Sequence, residues 1–285
     1  METELRRLAE RWARLDPLVR SDAPDAIHQM RVVCRRARSL LATYQPLFDN
    51  AVTEPLRVES RWYAALLGEA RDAEVLRGRI AGRIAGEPTD LVGPEAVALL
   101  LADLDKSHTR AHEAVGTAMR GRRFAQLARS VQQLADEPPL VELAARPASD
   151  VLPSLVLTDW KRLRRRAKRV AAASSEATHD EALHEVRKAG KRLRYAAEVA
   201  APVAGEPASR LARAAKKLQS VLGDQQDSAM ARVRLQELSA RDEGDTGFVL
   251  GRLHSAEQDD ALGVEAEYEQ AWAQLKRKRL RRWLS

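Results

Sequence analysis

Apolar residues recur along this chain at spacings of three and four, and strand-like alternation of Val, Ile, Thr and aromatic residues is nearly absent. That period fits one face of an α-helix. Ala, Leu, Arg and Glu, all strong helix formers but not strand formers, dominate the composition. The pattern predicts an all-α fold. Breakers divide it at Pro17 to Pro24, Pro46 to Pro55, Gly86 to Pro94, Pro138 to Pro153, Pro202 to Pro207 and Gly244 to Gly247. The segments between them run from about 20 to 40 residues, which suits long antiparallel helices. Four prolines between Glu137 and Pro153 mark the boundary between two halves.

The halves resemble each other. At an offset of 156, Ala26-Ile27-His28-Gln29-Met30-Arg31 meets Ala182-Leu183-His184-Glu185-Val186-Arg187. Arg35 then meets Lys191, Arg36 meets Arg192, Arg38 meets Arg194 and Pro46 meets Pro202. Asp22 meets Thr178 and Asp25 meets Glu181, which predicts a shared capping box at the start of each helix and a proline stop at its end. One histidine and four basic positions coincide with a chance probability of roughly one in 10⁵ per offset. A second match follows at offset 155: Leu66-Leu67-Gly68-Glu69 meets Val221-Leu222-Gly223-Asp224, and Asp72 meets Asp227. The expected architecture is two homologous antiparallel helical bundles, residues 1–138 and 150–285 of a single 1–285 unit, related by a pseudo-twofold axis.

At ~100° per residue, His28, Arg31, Arg35 and Arg38 fall within an arc of roughly 80°, and the stripe is about 15 Å long. Met30, Val33, Ala37, Leu40 and Leu41 take the opposite side. His184, Arg187, Lys191 and Arg194 repeat the cationic stripe, against an apolar face of Val186, Ala189, Leu193, Ala196 and Ala197. An ordinary solvated face mixes signs and gains from Glu–Lys pairs four apart. From Ala26 to Leu41 there are four arginines and no acid. Like charges at that spacing repel unless an anion sits between them.

Charge adds to this picture chiefly through its distribution. Lys plus Arg is 48 against 41 Asp plus Glu, a net charge of +7. Trp160 to Val170 carries seven cations and no acid, and six of the seven residues from Lys276 to Arg282 are basic. Arg57, Arg61 and Arg71 follow the first repeated helix; Lys216 and Lys217 follow the second, with Arg61 and Lys216 in register. Arginine forks and lysine point charges suit phosphate oxygens, histidine adds a donor, and converging stripes focus positive potential. The partner chemistry indicated is a phosphate polymer. Nucleic acid is the alternative, but base stacking wants aromatics among the cations, and only Tyr195 lies beside a stripe. An adaptor for an acidic protein is a second alternative.

The patterns HxxRxxxRRxR at His28 to Arg38 and HxxRKxxKRLRY at His184 to Tyr195 resemble the CHAD domain, the conserved-histidine α-helical domain. The Leu-Gly-x-x-x-Asp segments at 67–72 and 222–227 are similar to its LGxxRD and LGxxND elements. The resemblance covers nearly the whole chain. It implies two four-helix bundles around a basic central cavity that binds inorganic polyphosphate, cytoplasmic residence, often at polyphosphate granules, and no catalytic activity. Matched to those motifs, His28, Arg31, Arg35, Arg38, His184, Arg187, Lys191 and Arg194 are the expected ligand contacts, with Arg61, Lys216 and Arg165 from neighbouring segments. Gln225-Gln226 before Asp227 and Gly190 within the second helix depart from the pattern. Gly190 would cost about 1 kcal/mol against Ala in a helix interior, and a small residue there would let helices pack closely.

Other chemistry is weakly signalled. The one cysteine, Cys34, excludes a disulfide scaffold and is expected as a buried small residue. Asp72 and Asp227 are expected to cap or to pair with arginines. His108 and His112 could share a helical face as metal ligands, but no Glu-bearing HExxH pattern accompanies them. Glu2 and Glu4 would point about 160° apart on a helix. No phosphate loop, dinucleotide fingerprint or Ser-His-Asp set occurs, and neither a secretory leader nor an apolar membrane span is read. No enzyme, cofactor or metal is therefore expected.

Overall fold

The structure, a computed structural model, describes residues 1–240 and 246–284. Among these residues it is helical without strands, as the periodicity predicts. The helices are α1 (Glu2–Arg20), α2 (Ala26–Thr43), α3 (Asn50–Gly86), α4 (Pro94–Arg120), α5 (Arg122–Asp136), α6 (Ala148–Val170), α7 (Glu176–Ala204), α8 (Glu206–Ser239) and α9 (Gly247–Leu275). Short 3₁₀ turns follow α2 at Gln45–Leu47, precede α6 at Glu142–Ala145 and close the chain at Lys278–Leu280 and Arg282–Leu284. No described helix is long and apolar enough to cross a membrane.

The contact order of the first half recurs in the second. α2 packs between α1 and α3, as α7 packs between α6 and α8; α3 pairs with α4, as α8 pairs with α9. α2 and α7 also pack on each other. The apolar faces read from the sequence are the buried ones: Met30, Val33, Leu40 and Leu41 on α2, and Val186, Ala189, Leu193, Ala196 and Ala197 on α7. Ala37 is half-buried against the same core.

Two apolar clusters hold the molecule, and each draws on both halves. The larger runs from α1 through α2, α5, α6 and α7 to the end of α9. The smaller joins Ile80 of α3 and Leu100 and Leu104 of α4 to Ala231 and Leu235 of α8 and Val249, Leu250 and Leu253 of α9. Between the halves, the segment after α5 folds back on the α2–α3 turn. The Asp49 amide donates to the Pro139 carbonyl at 2.8 Å and the Val141 amide to the Leu47 carbonyl at 3.1 Å.

Boundaries differ from the expected ones, for local reasons. Pro17 and Pro202 lie in the last turns of α1 and α7, Pro55 and Pro153 near the starts of α3 and α6, and Pro207 at the start of α8. Near a terminus a proline removes few ladder bonds, so it does not break the helix. The shared capping box is absent. α2 starts after Asp22 and Asp25, both in the left-handed region at φ 51° and 62°, and neither caps it. In α7 the capping box is made by Ser175 with Thr178, three residues before the expected position. The α6–α7 turn, Ala171 to Ser175, contains neither Gly nor Pro, so it gave no breaker signal. Gly244 and Asp245 of the expected Gly244–Gly247 break lie outside the described residues.

Leu193 is wholly buried under the cationic face of α7, whereas Val58 of α3 is largely exposed. Leu193→Ala is therefore expected to lower stability by about 2–5 kcal/mol in urea denaturation, and Val58→Ala by less than about 0.5 kcal/mol. Equal losses would place the core elsewhere.

Candidate functional site

α2 and α7 each bury an apolar stripe and turn the opposite stripe outward, so their contact brings the two cationic stripes together. The electrostatic neighbourhoods define the group formed. Lys191 is acted on by Arg187 of its own helix and by Arg35 and Arg31 of α2. Arg187 is acted on by Arg31 and Arg35 in turn. Four of the expected contacts thus form one cluster, built from both halves.

The cluster is half-buried and short of counter-charge. Among the described residues, neither Arg35 nor Lys191 forms an ion pair. The Arg35 Nε donates to the Tyr195 hydroxyl at 3.0 Å. The Arg187 Nε is buried without a hydrogen-bond partner. Burial first, then the three arginines, push the Lys191 amine down to about 6, and Asp72 offsets this only in part. Burial also lowers the Arg187 guanidinium, opposed by Asp227 and Asp72 and assisted by Arg31 and Arg35.

The repeated Leu-Gly-x-x-x-Asp segments supply the floor. Arg31 Nη1 lies 3.0 Å from Asp72 Oδ1. A Cβ added at Gly68 would sit 3.7 Å from Arg31 Nη2, and one added at Gly223 would sit 3.5 Å from Arg187 Nη2. Each guanidinium therefore lies over a bare glycine, with an aspartate one turn further along. Alanine would make only an ordinary contact at either site. The expectation that Asp72 and Asp227 serve arginines holds in this geometry. The expectation for Gly190 does not: a Cβ there would meet Leu218 Cδ2 at 3.8 Å, an ordinary contact.

The two histidines flank the cluster differently. His28 faces Arg71, Arg35 and Arg31, and its imidazole is lowered first by burial and then by Arg71. Arg71 also pairs with Glu74 at 2.9 Å. His184 donates from Nδ1 to the Gln226 side-chain carbonyl. Its imidazole is lowered by burial, against a raising contribution from that bond. Gln226, a departure from the sequence pattern, thus orients the second histidine, while Arg71 occupies the comparable place in the first half.

Not every expected contact joins this group. Arg38 lies beside Arg61 and Arg57, a second cationic patch on the α2–α3 face, and burial lowers its guanidinium. Arg61, Lys216 and Arg165 are exposed on α3, α8 and α6. Arg194 is held by Glu198 at 2.7 Å and by Gln219 at 3.2 Å. The α6 run read as free of acids is partly neutralised by residues it meets in space. Arg162 lies 3.7 Å from Asp159 and Arg166 lies 3.4 Å from Glu185 of α7.

Tyr195 was the residue whose position the sequence could not convey. It is buried at 4% exposure, and three guanidiniums lie on its ring: Arg36 at 4.9 Å, Arg194 at 5.5 Å and Arg35 at 6.0 Å. Cation–π attraction gathers arginines of both helices on one phenol. Cys34 is fully buried and its thiol is pushed up by desolvation, as expected of a packing residue. His108 and His112 lie with ring centroids 4.0 Å apart and planes tilted by 33°, and His112 Nδ1 lies 2.8 Å from Asp22 Oδ1 on the α1–α2 turn.

Comparison with known proteins follows the same lines. The model of the CHAD domain matches residues 3–236. Two uncharacterized proteins of Mycobacterium tuberculosis, MT2285 and Rv2226, are each 33% identical over 265 residues, covering 91% of this chain and 50% of theirs, so the chain spans about half their length. Among solved structures, PptA from Streptomyces chartreusis superposes with a TM-score of 0.79 at 24% identity, over 94% of this chain and 96% of that one. The CHAD domain from the plant Ricinus communis superposes with a TM-score of 0.71 at 23% identity, over 95% and 88%. At these identities the superpositions speak for the fold.

The Lys191 shift carries a signed consequence. Between pH ~6 and ~10.5 the unfolded chain binds a proton on this amine that the folded chain does not, so stability rises with pH across that window. Below it the destabilisation is complete and no longer varies. Urea midpoints measured from about pH 6 to 10 are expected to climb more steeply for the native protein than for Lys191→Met. Parallel curves would mean that Lys191 is charged in the fold.

Proposed function

The chain belongs to the CHAD domain family, and on that premise we propose that it binds inorganic polyphosphate without chemically altering it, on the cationic cluster where α2 and α7 meet. The observation that carries this reading is the confluence of Arg31, Arg35, Arg187 and Lys191 from two separate helices, at a burial that displaces the Lys191 proton. A structure gains nothing from gathering four cations there. A chain of linked phosphates repays it, because each unit brings a charge and acceptor oxygens at a spacing that several forks engage at once.

On this reading His28 and His184 close the two ends of the cluster as phosphate donors. His184 already donates its Nδ1 proton to Gln226, so it offers Nε2–H only when protonated, a state a nearby phosphate favours. Arg38 and Arg61 form an outer landing patch, to which Arg165 and Lys216 add long-range attraction. Arg194 acts indirectly, by packing on Tyr195. Residues 1–138 and 150–285 serve as two related repeats around a pseudo-twofold axis and one basic cavity, each contributing one arginine-over-glycine unit. The protein would then gather at cytoplasmic polyphosphate granules.

Nucleic acid fits the same charges less well. Tyr195, the aromatic beside the stripes, has its ring covered by guanidiniums and offers no open face to a base. An acidic protein partner would present carboxylates at irregular spacing, which four clustered cations engage poorly. Neither reading draws on the burial of Lys191.

Titration calorimetry with long-chain polyphosphate over a salt series tests the proposal. Affinity is expected to fall with a log–log slope of ~0.7–0.9 per phosphate neutralised, and duplex DNA to bind more weakly at equal salt. Converting Arg31, Arg35, Arg187 and Lys191 together to Ala should abolish binding and leave the helical circular dichroism intact. Tighter binding of DNA, or unchanged polyphosphate affinity in the folded quadruple variant, would overturn it.

A further inference from the structure

The cluster contains two acids that a polyanion site has no obvious use for. Asp72 stands on α3 and Asp227 on α8, one in each half of the chain. Each lies one turn beyond the glycine over which its arginine is laid, so the placement is built twice. Asp72 Oδ1 accepts from Arg31 Nη1 at 3.0 Å, in a pair that solvent reaches on both sides, with 29% of the Arg31 side chain and 40% of the Asp72 side chain exposed. The charge of Asp72 also reaches across to Arg187 and Lys191 on the other helix. Asp227 is half-buried and faces Arg187 and Arg79, with Asp224 and Asp72 as its acidic neighbours.

A carboxylate on a guanidinium takes the place and makes the contacts that a phosphate oxygen would take. Asp72 does so on Arg31, and Asp227 stands within electrostatic reach of Arg187; both are tethered by the fold, so the negative charge near these arginines is high and constant. A single phosphate that enters must displace a tethered anion already in position. It exchanges one charge-assisted bond for another and gives up its hydration and its freedom. A chain with many linked phosphates is in a different position. Once one unit has displaced a carboxylate, the next units reach Arg35 and Lys191, which have no resident acid, without a second loss of translational freedom.

We propose that Asp72 and Asp227 are specificity-determining residues that act as resident counter-anions, excluding orthophosphate and pyrophosphate from the cluster while admitting long polyphosphate. The inference rests on the polyphosphate reading above and adds to it the length selectivity of the site. The aspartates have a second effect in the same geometry: they offset the mutual repulsion of the clustered arginines when no polymer is there. Removing them is therefore expected to loosen the fold somewhat while opening the site to small anions. A residue that only supported the fold would do the first without the second.

The test compares the native protein with Asp72→Asn, Asp227→Asn and the double variant, which keep the shape and remove the charge. Pyrophosphate and long-chain polyphosphate are titrated calorimetrically against each at fixed pH and salt. Pyrophosphate affinity is expected to rise roughly tenfold or more in the double variant, from loss of the nearby negative charges. Long-chain affinity should rise by a smaller factor, so that the ratio of long to short falls. Asp72→Glu, which restores the carboxylate, should return the ratio towards the native value. Should the double variant fail to fold, each single variant is expected to show a partial fall in the ratio. A ratio unchanged in folded variants, while the native protein binds the long chain, would overturn this inference alone. Failure of the native protein to bind the long chain would overturn both it and the functional reading.

Discussion

Everything in this structure is arranged around mutual repulsion at the contact between α2 and α7. Arg31, Arg35, Arg187 and Lys191 approach one another there with Asp72 and Asp227 as the nearby acids. Such a group cannot hold itself together. It is held from beneath, by the apolar faces of the same two helices. Met30 and Val33 under one stripe and Val186 and Leu193 under the other are essentially inaccessible. Burial of apolar surface at roughly 25 cal/mol per Å² is the only available term large enough to offset like charges in a partly desolvated place. The Tyr44 hydroxyl adds a direct tie at the end of α2, donating to the Ala196 carbonyl of α7 at 2.7 Å.

Charge elsewhere is treated in the opposite way. Arg192, one residue beyond Lys191, forms an ion pair with the buried Asp159 at 2.7 Å and donates to the Ala42 carbonyl at 2.6 Å. Arg36 reaches Glu198 at 2.7 Å. At the far end of α3, Arg79 and Arg83 converge on Glu257, which is fully enclosed by α3, α8 and α9 and whose carboxyl is held down by those arginines against its burial. Arg252 bonds Glu87 nearby. Buried or bridging cations thus receive a carboxylate, and these pairs clasp the halves along the smaller apolar cluster. Against that practice, the group at the α2–α7 contact brings together cations of both helices that outnumber the acids beside them.

Much of this was legible in the chain itself. A helical period, a repeated histidine–arginine pattern and angular arithmetic were enough to put His28, Arg31 and Arg35 on one side of α2 and the core on the other. The repeat also foretold that Gly68 and Asp72 correspond to Gly223 and Asp227. What escaped was whatever depends on a second helix. Seven cations from Lys161 to Arg169 look unrelieved in sequence, yet Glu185 of α7 meets one of them. Arg194 occupies the stripe by angle, but Glu198 and Gln219 engage it. Tyr195 reads as a candidate stacking residue until the helices cross and cover it. Helix ends escaped too, because a proline in a first or last turn and a left-handed aspartate look the same in one dimension as a break and a cap.

The two repeats are not equal, and the inequality falls where repulsion is greatest. Register places Lys191 opposite Arg35. A guanidinium stays charged at any pH the protein meets, so four arginines here would impose a fixed repulsion on the fold. An ammonium can shed its proton. Burial first, and then Arg187, Arg35 and Arg31, push the Lys191 amine down to about 6, so that it is largely neutral near pH 7. On the polyphosphate reading the same side chain would become a cation again once a polyanion supplied the opposite field, because an approaching phosphate would raise the amine. A lysine at this one position would therefore let the cluster carry fewer charges when free than when occupied. Uptake of a proton would accompany binding, and the energy of assembling four cations would be met by the ligand that needs them and not by the fold.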